Sequence, residues 1–274
     1  MAEWTITDPT AVDLDEAVTA IDVRLIAGHV DVVTSDGPAR LEVTEVDGAP
    51  VRVRHEGGRL SIAHEELHWE GVLGWLRLPR ERRRAVVSVA VPADARASVA
   101  VVSADAVLSG LSGGVKVRCV SGDVVLDETS GDVHVESVSG DVEGRGVSGE
   151  VTLKTVSGSL TVVDGAPAKV RARSISGDVV LDVRHAAQLA IDVTTVSGDV
   201  TVRLPDDAGL RVDVLSTSGD VASGFEGLDL QSRPGSRKLS GHVGDGHGEL
   251  HGRTVSGNVA LLVREAATPR GGAE

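Results

Sequence analysis

Residues 119–159 read CVSGDVVLDETSGDVHVESVSGDVEGRGVSGEVTLKTVSGS, with a Ser-Gly pair every nine residues at Ser121, Ser130, Ser139, Ser148 and Ser157. Apolar and polar residues alternate between the pairs. Val120, Gly122, Val124 and Leu126 share one parity, against Ser121, Asp123, Val125 and Asp127. Val133 and Val135, Val142, Val151 and Leu153, then Leu160 and Val162 continue the apolar set. A period of two over such short runs predicts β-strands with one buried face. On this count Gly falls inward, at corners without room for a Cβ or with positive φ. Ser, Asp and Cys119 fall outward, where Ser and Asp can accept hydrogen bonds from turn amides.

Later repeats decide whether nine residues make a whole coil. Ser176, Ser197 and Ser218 begin Ser-Gly-Asp steps 21 residues apart, each interval holding two apolar runs. A coil of two strands follows, 18 residues long in the early repeats and 21 in the late ones. An 18-residue coil sets Asp127 beside Arg145 and Glu136 beside Lys154, and a 21-residue coil sets Asp182 beside Arg203. A nine-residue coil would set Asp127 beside Glu136, which like charges disfavour.

Composition agrees with stacked layers. The 274 residues are 41% hydrophobic but only 1% aromatic, so the core must be built from Val, Leu, Ile and Ala. The net charge of −14 argues against nucleic acid as a partner, because phosphate neutralisation needs a basic face. A lone Cys119 implies no internal disulfide. The first residues, MAEWTITDPTAVDLDEAVTA, lack the pattern of an export signal, and no run approaches the 18 apolar residues of a membrane helix. These features suggest a cytoplasmic protein, with peripheral contact at the inner face of the membrane as an extension.

The N-terminal third is looser, with alternating runs at Ile21–Leu25, Val30–Val32, Leu41–Val43, Val51–Val53, Leu60–Ile62 and Val87–Val91. The expected fold is all-β: a single-domain parallel β-solenoid, or β-helix, with about two strands per 18–21-residue coil. It spans residues 1–266, with looser coils over 1–98 and regular Ser-Gly-Asp coils over 99–266, before a flexible tail over 267–274. The run IDVRLIAGHVDVV, a Gly-Gly-Arg-Leu-Ser-Ile strand, VSVAVP and the tandem VSGDV units resemble a bacterial β-strand-repeat family. That family is known as "putative adhesin" or toastrack, and the resemblance covers roughly residues 20–263. It implies a parallel β-solenoid and, for some members, a link to membrane modules and envelope-stress signalling.

Four groups of residues are candidates for chemistry or contact. The turn pairs Gly122-Asp123, Gly131-Asp132, Gly140-Asp141, Gly177-Asp178, Gly198-Asp199 and Gly219-Asp220 resemble calcium-binding repeats only loosely, lacking their second glycine-rich half. A turn whose Asp bonds its own backbone is the preferred reading. His64-Glu65-Glu66-Leu67-His68 fits H-E-x-x-H, which needs a helix and a third ligand to hold zinc. The alternative is a polar loop with solvent-facing histidines. His242, Asp245, His247, Glu249 and His251 form a second metal candidate, with the last three on one face if the segment is a strand; otherwise they line an exposed side.

The fourth group breaks the repeat. Leu67–Arg84 carries Trp69, Leu73, Trp75, Leu76, Arg77, Arg80, Arg82, Arg83 and Arg84. Trp and Leu followed by Arg suit a cap over a solenoid edge, a protein partner or self-association, or an anionic membrane surface. No nucleophile motif or phosphate-cradling loop occurs, so catalytic residues and cofactors are expected to be none. The expected function is a non-enzymatic scaffold or protein-interaction module. The alternatives are an envelope-stress-associated component that binds anionic lipid and a metal-binding protein or metal-dependent enzyme.

Overall fold

The computed structural model describes residues 1–64, 83–184, 188–245 and 247–264. Among them are 23 strands and no helix. The N-terminal strands are β1 (Ala2–Ile6), β2 (Thr10–Asp13), β3 (Ala20–Thr34), β4 (Arg40–Gly48), β5 (Val51–Glu56), β6 (Arg59–His64) and β7 (Arg83–Val91). The central strands are β8 (Arg96–Ser109), β9 (Val115–Ser121), β10 (Val124–Asp127), β11 (Val133–Ser139), β12 (Val142–Arg145), β13 (Ser148–Ser157) and β14 (Leu160–Ser176). The C-terminal strands comprise β15 (Val179–Val183), β16 (Ala190–Ser197), β17 (Val200–Pro205), β18 (Leu210–Ser216) and β19 (Val221–Ser223). They end with β20 (Leu228–Arg233), β21 (Ser236–Val243), β22 (Gly248–Ser256) and β23 (Val259–Arg264).

The central repeats sort into two parallel ladders. β9, β11, β13, the second half of β14 and β16 make the first. β10, β12, the start of β14, β15 and β17 make the second. Residues 18 apart lie side by side, as with Val115, Val133 and Val151, and with Val124, Val142 and Leu160. Asp127 stands beside Arg145, Glu136 beside Lys154 and Asp182 beside Arg203, as the spacing predicts. The long strands β8 and β14 run through a corner and pair in both ladders. Their pairings with β9, β11, β13, β12 and β10 therefore close a ring of seven parallel strands. Val117, Val135 and Leu153 from one ladder and Leu126, Val142 and Leu160 from the other fill the interior.

Both ends depart from parallel stacking. At the N-terminal end β3 runs parallel to β8, β6 and β7. Antiparallel pairing then takes over, through β5 and β1 on one ladder and β4 and β2 on the other. At the other end β21 adds antiparallel to β18, and β20 antiparallel to β21. Short antiparallel strands finish a stack without leaving a long parallel edge open to further pairing. The order of coils also differs from expectation. Ser197 pairs with Ser256 rather than with Ser218, because β22 and β23 insert between β16–β17 and β18–β19.

The corner glycines explain the repeat, though not through inward crowding. A Cβ on Gly140 would lie 2.0 Å from the Gly122 carbonyl oxygen, and one on Gly158 2.3 Å from that of Gly140. The obstruction lies along the stack, where one coil's backbone presses on the next. The same column continues through Gly177, Gly198, Gly257 and Gly219. Gly131 sits at the opposite corner, where its Cβ would meet the Gly113 carbonyl at 2.2 Å. The nine-residue units therefore alternate between two corners.

Neighbouring Asp side chains tie these corners together, and here the turn reading needs correction. Apart from Asp220, which pairs with Arg237, these Asp side chains accept the amide of the neighbouring coil rather than that of their own turn. Asp123 accepts from Asp141 N at 2.9 Å, Asp141 from Ser159 N at 2.7 Å and Asp178 from Asp199 N at 2.8 Å. Asp132 does the same for Glu150 at the opposite corner.

Candidate functional site

The parity expected at the first corner is reversed. Val115, Val117 and Cys119 point inward along β9, so Val120 points outward and Cys119 is buried. The chain then turns through Gly122, whose φ of +131° resets the alternation, and Val124 is again inside. The same break in alternation recurs in the coils of Gly140, Gly158, Gly177, Gly198 and Gly257, with positive φ at the first four. Ser137, Thr155, Ser174, Thr195 and Thr254 are buried beneath the corner, while Val138, Val156, Ile175, Val196 and Val255 are 46%, 45%, 53%, 48% and 52% exposed. Register places these five side chains on adjacent strands, β11, β13, β14, β16 and β22. Partly covered Val120, Val102 and Ile26 extend the column on β9, β8 and β3.

The column separates two surfaces of opposite charge. Two residues before it, on the flat face of the first ladder, lie Arg118, Glu136, Lys154, Arg173, Thr194 and Arg253. Glu136 binds Lys154 at 3.0 Å, and that contact first, with His134 second, pulls its carboxyl down to about 2. Arg173 and Arg253 flank Thr194 without an acidic partner among the described residues. They border a shallow depression of about 530 Å³ over β16, with Lys169, Arg171, Asp192 and His251 around it. Beyond the corner, the linked side chains run Asp105, Asp123, Asp141 and Ser159, then Asp178, Asp199, Asn258 and Asp220.

The sequence matches the family profile described as Toastrack DUF4097 over residues 13–262. This chain belongs to the Toastrack family. Two solved structures share the Toastrack fold at low identity. One, described as a "putative adhesin" from Parabacteroides distasonis ATCC 8503, is 14% identical, with a TM-score of 0.54 over 93% of this chain and 96% of that one. The other, a "putative adhesin" from Bacteroides fragilis NCTC 9343, is 12% identical, with a TM-score of 0.53 over 93% of this chain and 97% of that one. No curated protein matches this chain.

In this Toastrack chain the other sequence candidates are dispersed. His64 ends β6 as a buried side chain, not on a helix or a solvent-facing loop, and its Nδ1 accepts the Ile26 amide at 3.2 Å. Burial first, and the charge of Arg83 second, lower its pKa to about 4. Glu65, Glu66 and His68 lie outside the described residues, as do Trp69, Leu73, Trp75, Leu76, Arg77, Arg80 and Arg82. Of that segment, Arg83 is buried and Arg84 is half exposed beside Glu45.

The proposed histidine set falls on different strands. His242 on β21 and Glu249 on β22 lie either side of Arg211 on β18, Asp245 and His247 pair before β22, and His251 pairs with Glu249. Among the described residues no three His, Cys, Asp or Glu side chains are placed to hold a metal ion. No described helix is long and apolar enough to cross a membrane. Sequence reasoning missed the aliphatic column, although its signal is present: a β-branched aliphatic precedes each Ser-Gly pair of that corner except Ser218-Gly219, where Thr217 stands. Val147 precedes one at the other corner and is buried, so the tripeptide alone does not separate the two cases.

Proposed function

We propose that this Toastrack domain is a non-enzymatic interaction module, a rigid two-strand-per-coil β-solenoid whose contact surface is the aliphatic column of the first ladder. One observation carries the reading: Val138, Val156, Ile175, Val196 and Val255 are each about half exposed on adjacent strands. A contiguous exposed aliphatic strip is uncommon on a soluble protein and marks contact surfaces. The chemistry nearby supports a non-catalytic role. The Cys119 thiol is buried and pushed up to about 11 by burial, with the Asp105 and Asp123 charges adding to it, so it is a poor nucleophile. Cytoplasmic placement belongs to the same reading.

The test is site-specific photo-cross-linking in the native host. A benzophenone side chain replaces Ile175 in one variant and Thr161, on the second ladder, in another. Discrete adducts from position 175, reduced at least fivefold by Val156→Thr/Val196→Thr, are expected. Equal labelling at both positions, or none at 175, would remove the column as the contact surface.

A further inference from the structure

The two flanks of the column carry unpaired charges of opposite sign. Asp123, Asp141, Asp178 and Asp199 have no cationic partner among the described residues, and only Asp220 is paired, with Arg237. Their chain of amide hydrogen bonds holds these carboxylates at the pitch of the strands, where they repel one another. Arg173 and Arg253 on the other flank lack an acid in the same way. The aliphatic ridge between them is uncovered. One ligand would answer all three features: a surface with its own aliphatic ridge, an acidic flank on one side and a basic flank on the other. This chain has that surface.

We propose that the column is the interface of a homodimer in which a second copy lays its column against the first, with both stacks running in the same direction. The proposal rests on reading the column as a contact surface and adds the partner's identity. Symmetry fixes the direction. A two-fold axis along the column places the basic flank of one copy over the acidic flank of the other. A two-fold axis across it would set basic on basic and acidic on acidic. The first choice sets Arg118 opposite Asp123 and Arg173 opposite Asp178, with Glu136 opposite Asp141 as its one like-charge contact, whereas the second lays each row largely against its own sign.

In that arrangement each strand meets its own equivalent, so Val156 packs on the partner's Val156 and the two pitches match without adjustment. From Ile26 to Val255 the column extends about 34 Å at ~4.8 Å per strand, and its flanks add about 17 Å of width at ~3.3 Å per residue. That footprint is on the scale of a specific protein interface. An anionic membrane fits less well, since Asp105, Asp123, Asp141, Asp178 and Asp199 border the ridge.

Sedimentation velocity on the full chain, from about 1 to 100 µM in low and high salt, tests this. The wild type is expected to show a monomer–dimer equilibrium at least tenfold weaker in high salt, where exposed charge pairs are screened. Val156→Thr/Ile175→Thr/Val196→Thr keeps β-branched residues in the strands and should weaken the dimer at least 30-fold. Asp123→Asn/Asp178→Asn keeps an oxygen for each amide, as Asn258 does, and should weaken it at least tenfold with no loss of thermal stability. Spin labels placed singly at Ser121→Cys and Ser256→Cys, in a Cys119→Ser background, should both give short inter-subunit distances; a long distance at position 256 would mean the opposite direction and overturn the proposal.

A wild type that stays monomeric at 100 µM in low salt would overturn it, as would a dimer indifferent to the threonine variant. A monomer that binds phosphatidylglycerol vesicles through the column would overturn it in favour of lipid. If the chain is monomeric but position 175 cross-links to a different protein, the homodimer fails and the contact surface stands. If neither dimer nor cross-link appears, both fail.

Discussion

Gly140 shows why a single residue type cannot be exchanged at these corners. Its φ of +124° is rarely open to a side chain, and the Gly122 carbonyl already occupies the space of a Cβ at 2.0 Å. Gly140→Ala must therefore separate two coils, and we expect a loss of about 3 kcal/mol or more, read as a lowered midpoint in urea unfolding. Gly57→Ala is the control: its φ is +57° but nothing lies within 4 Å, so only backbone strain of about 1 kcal/mol applies. The need for glycine at the repeats was legible in the sequence. Its direction was not, because alternation reports whether a side chain points in or out and carries no information about contacts along the stack. The side chains beneath the corner were misassigned for the same reason. Ser216 donates to the Gly257 carbonyl at 2.8 Å, and the Cys119 thiol contacts that of Gly122 at 3.2 Å. Ser216 and Cys119 thus reach a corner carbonyl from inside, where the sequence alone suggested an outward face, whereas the buried hydroxyls of Thr155, Ser174, Thr195 and Thr254 make no hydrogen bond among the described residues.

At the scale of elements, β6 meets β3 through a histidine that the H-E-x-x-H pattern would have assigned to zinc. His64 is buried at the end of β6 with its Nδ1 on the Ile26 amide, and Arg83 at the start of β7 adds a repelling charge. Its folded pKa of about 4 lies below the ordinary 6.5, so the unfolded chain takes up the proton first as pH falls. The stability this neutral imidazole provides is complete above pH 6.5 and declines as pH falls through 4, by about 3 kcal/mol in all. Glu136, held down to about 2 chiefly by Lys154, acts in a lower window, from 4.5 towards 2. We expect His64→Asn, which retains an acceptor but does not titrate, to flatten unfolding free energy between pH 6.5 and 4. An unchanged slope in urea titrations would show that another group governs that range. The existence of β6 could be read from Leu60 and Ile62, whereas the inward aim of His64 depends on β3, which lies 38 residues earlier.

At the scale of the molecule, the order of coils decides how the C-terminal end is held. The spacing of Ser197 and Ser218 suggests a simple sequential stack, yet no local pattern could reveal that the final coil enters between two earlier ones. That arrangement is specified by long-range contacts. β22 lies between β16 and β18, and β23 between β17 and β19. Arg264 fastens the end of β23, reaching Asp182 at 2.7 Å and Asp164 at 2.5 Å, while Asp182 also binds Arg203. Removing an end layer from a stack costs only that layer, since each layer depends on its neighbours. Removing an internal layer also strips the partner from everything beyond it. A chain ending at Asp245 should therefore lose protection from hydrogen exchange throughout β18–β21, although those residues are all present, and keep it in β9–β13. Arg264→Ala should move the same strands in the same direction by a smaller amount, about 1–2 kcal/mol for a partly buried ion pair. Protection of β18–β21 in the shortened chain would mean that this coil can bind directly to β16 and β17, and that the inserted order is one of two accessible stackings.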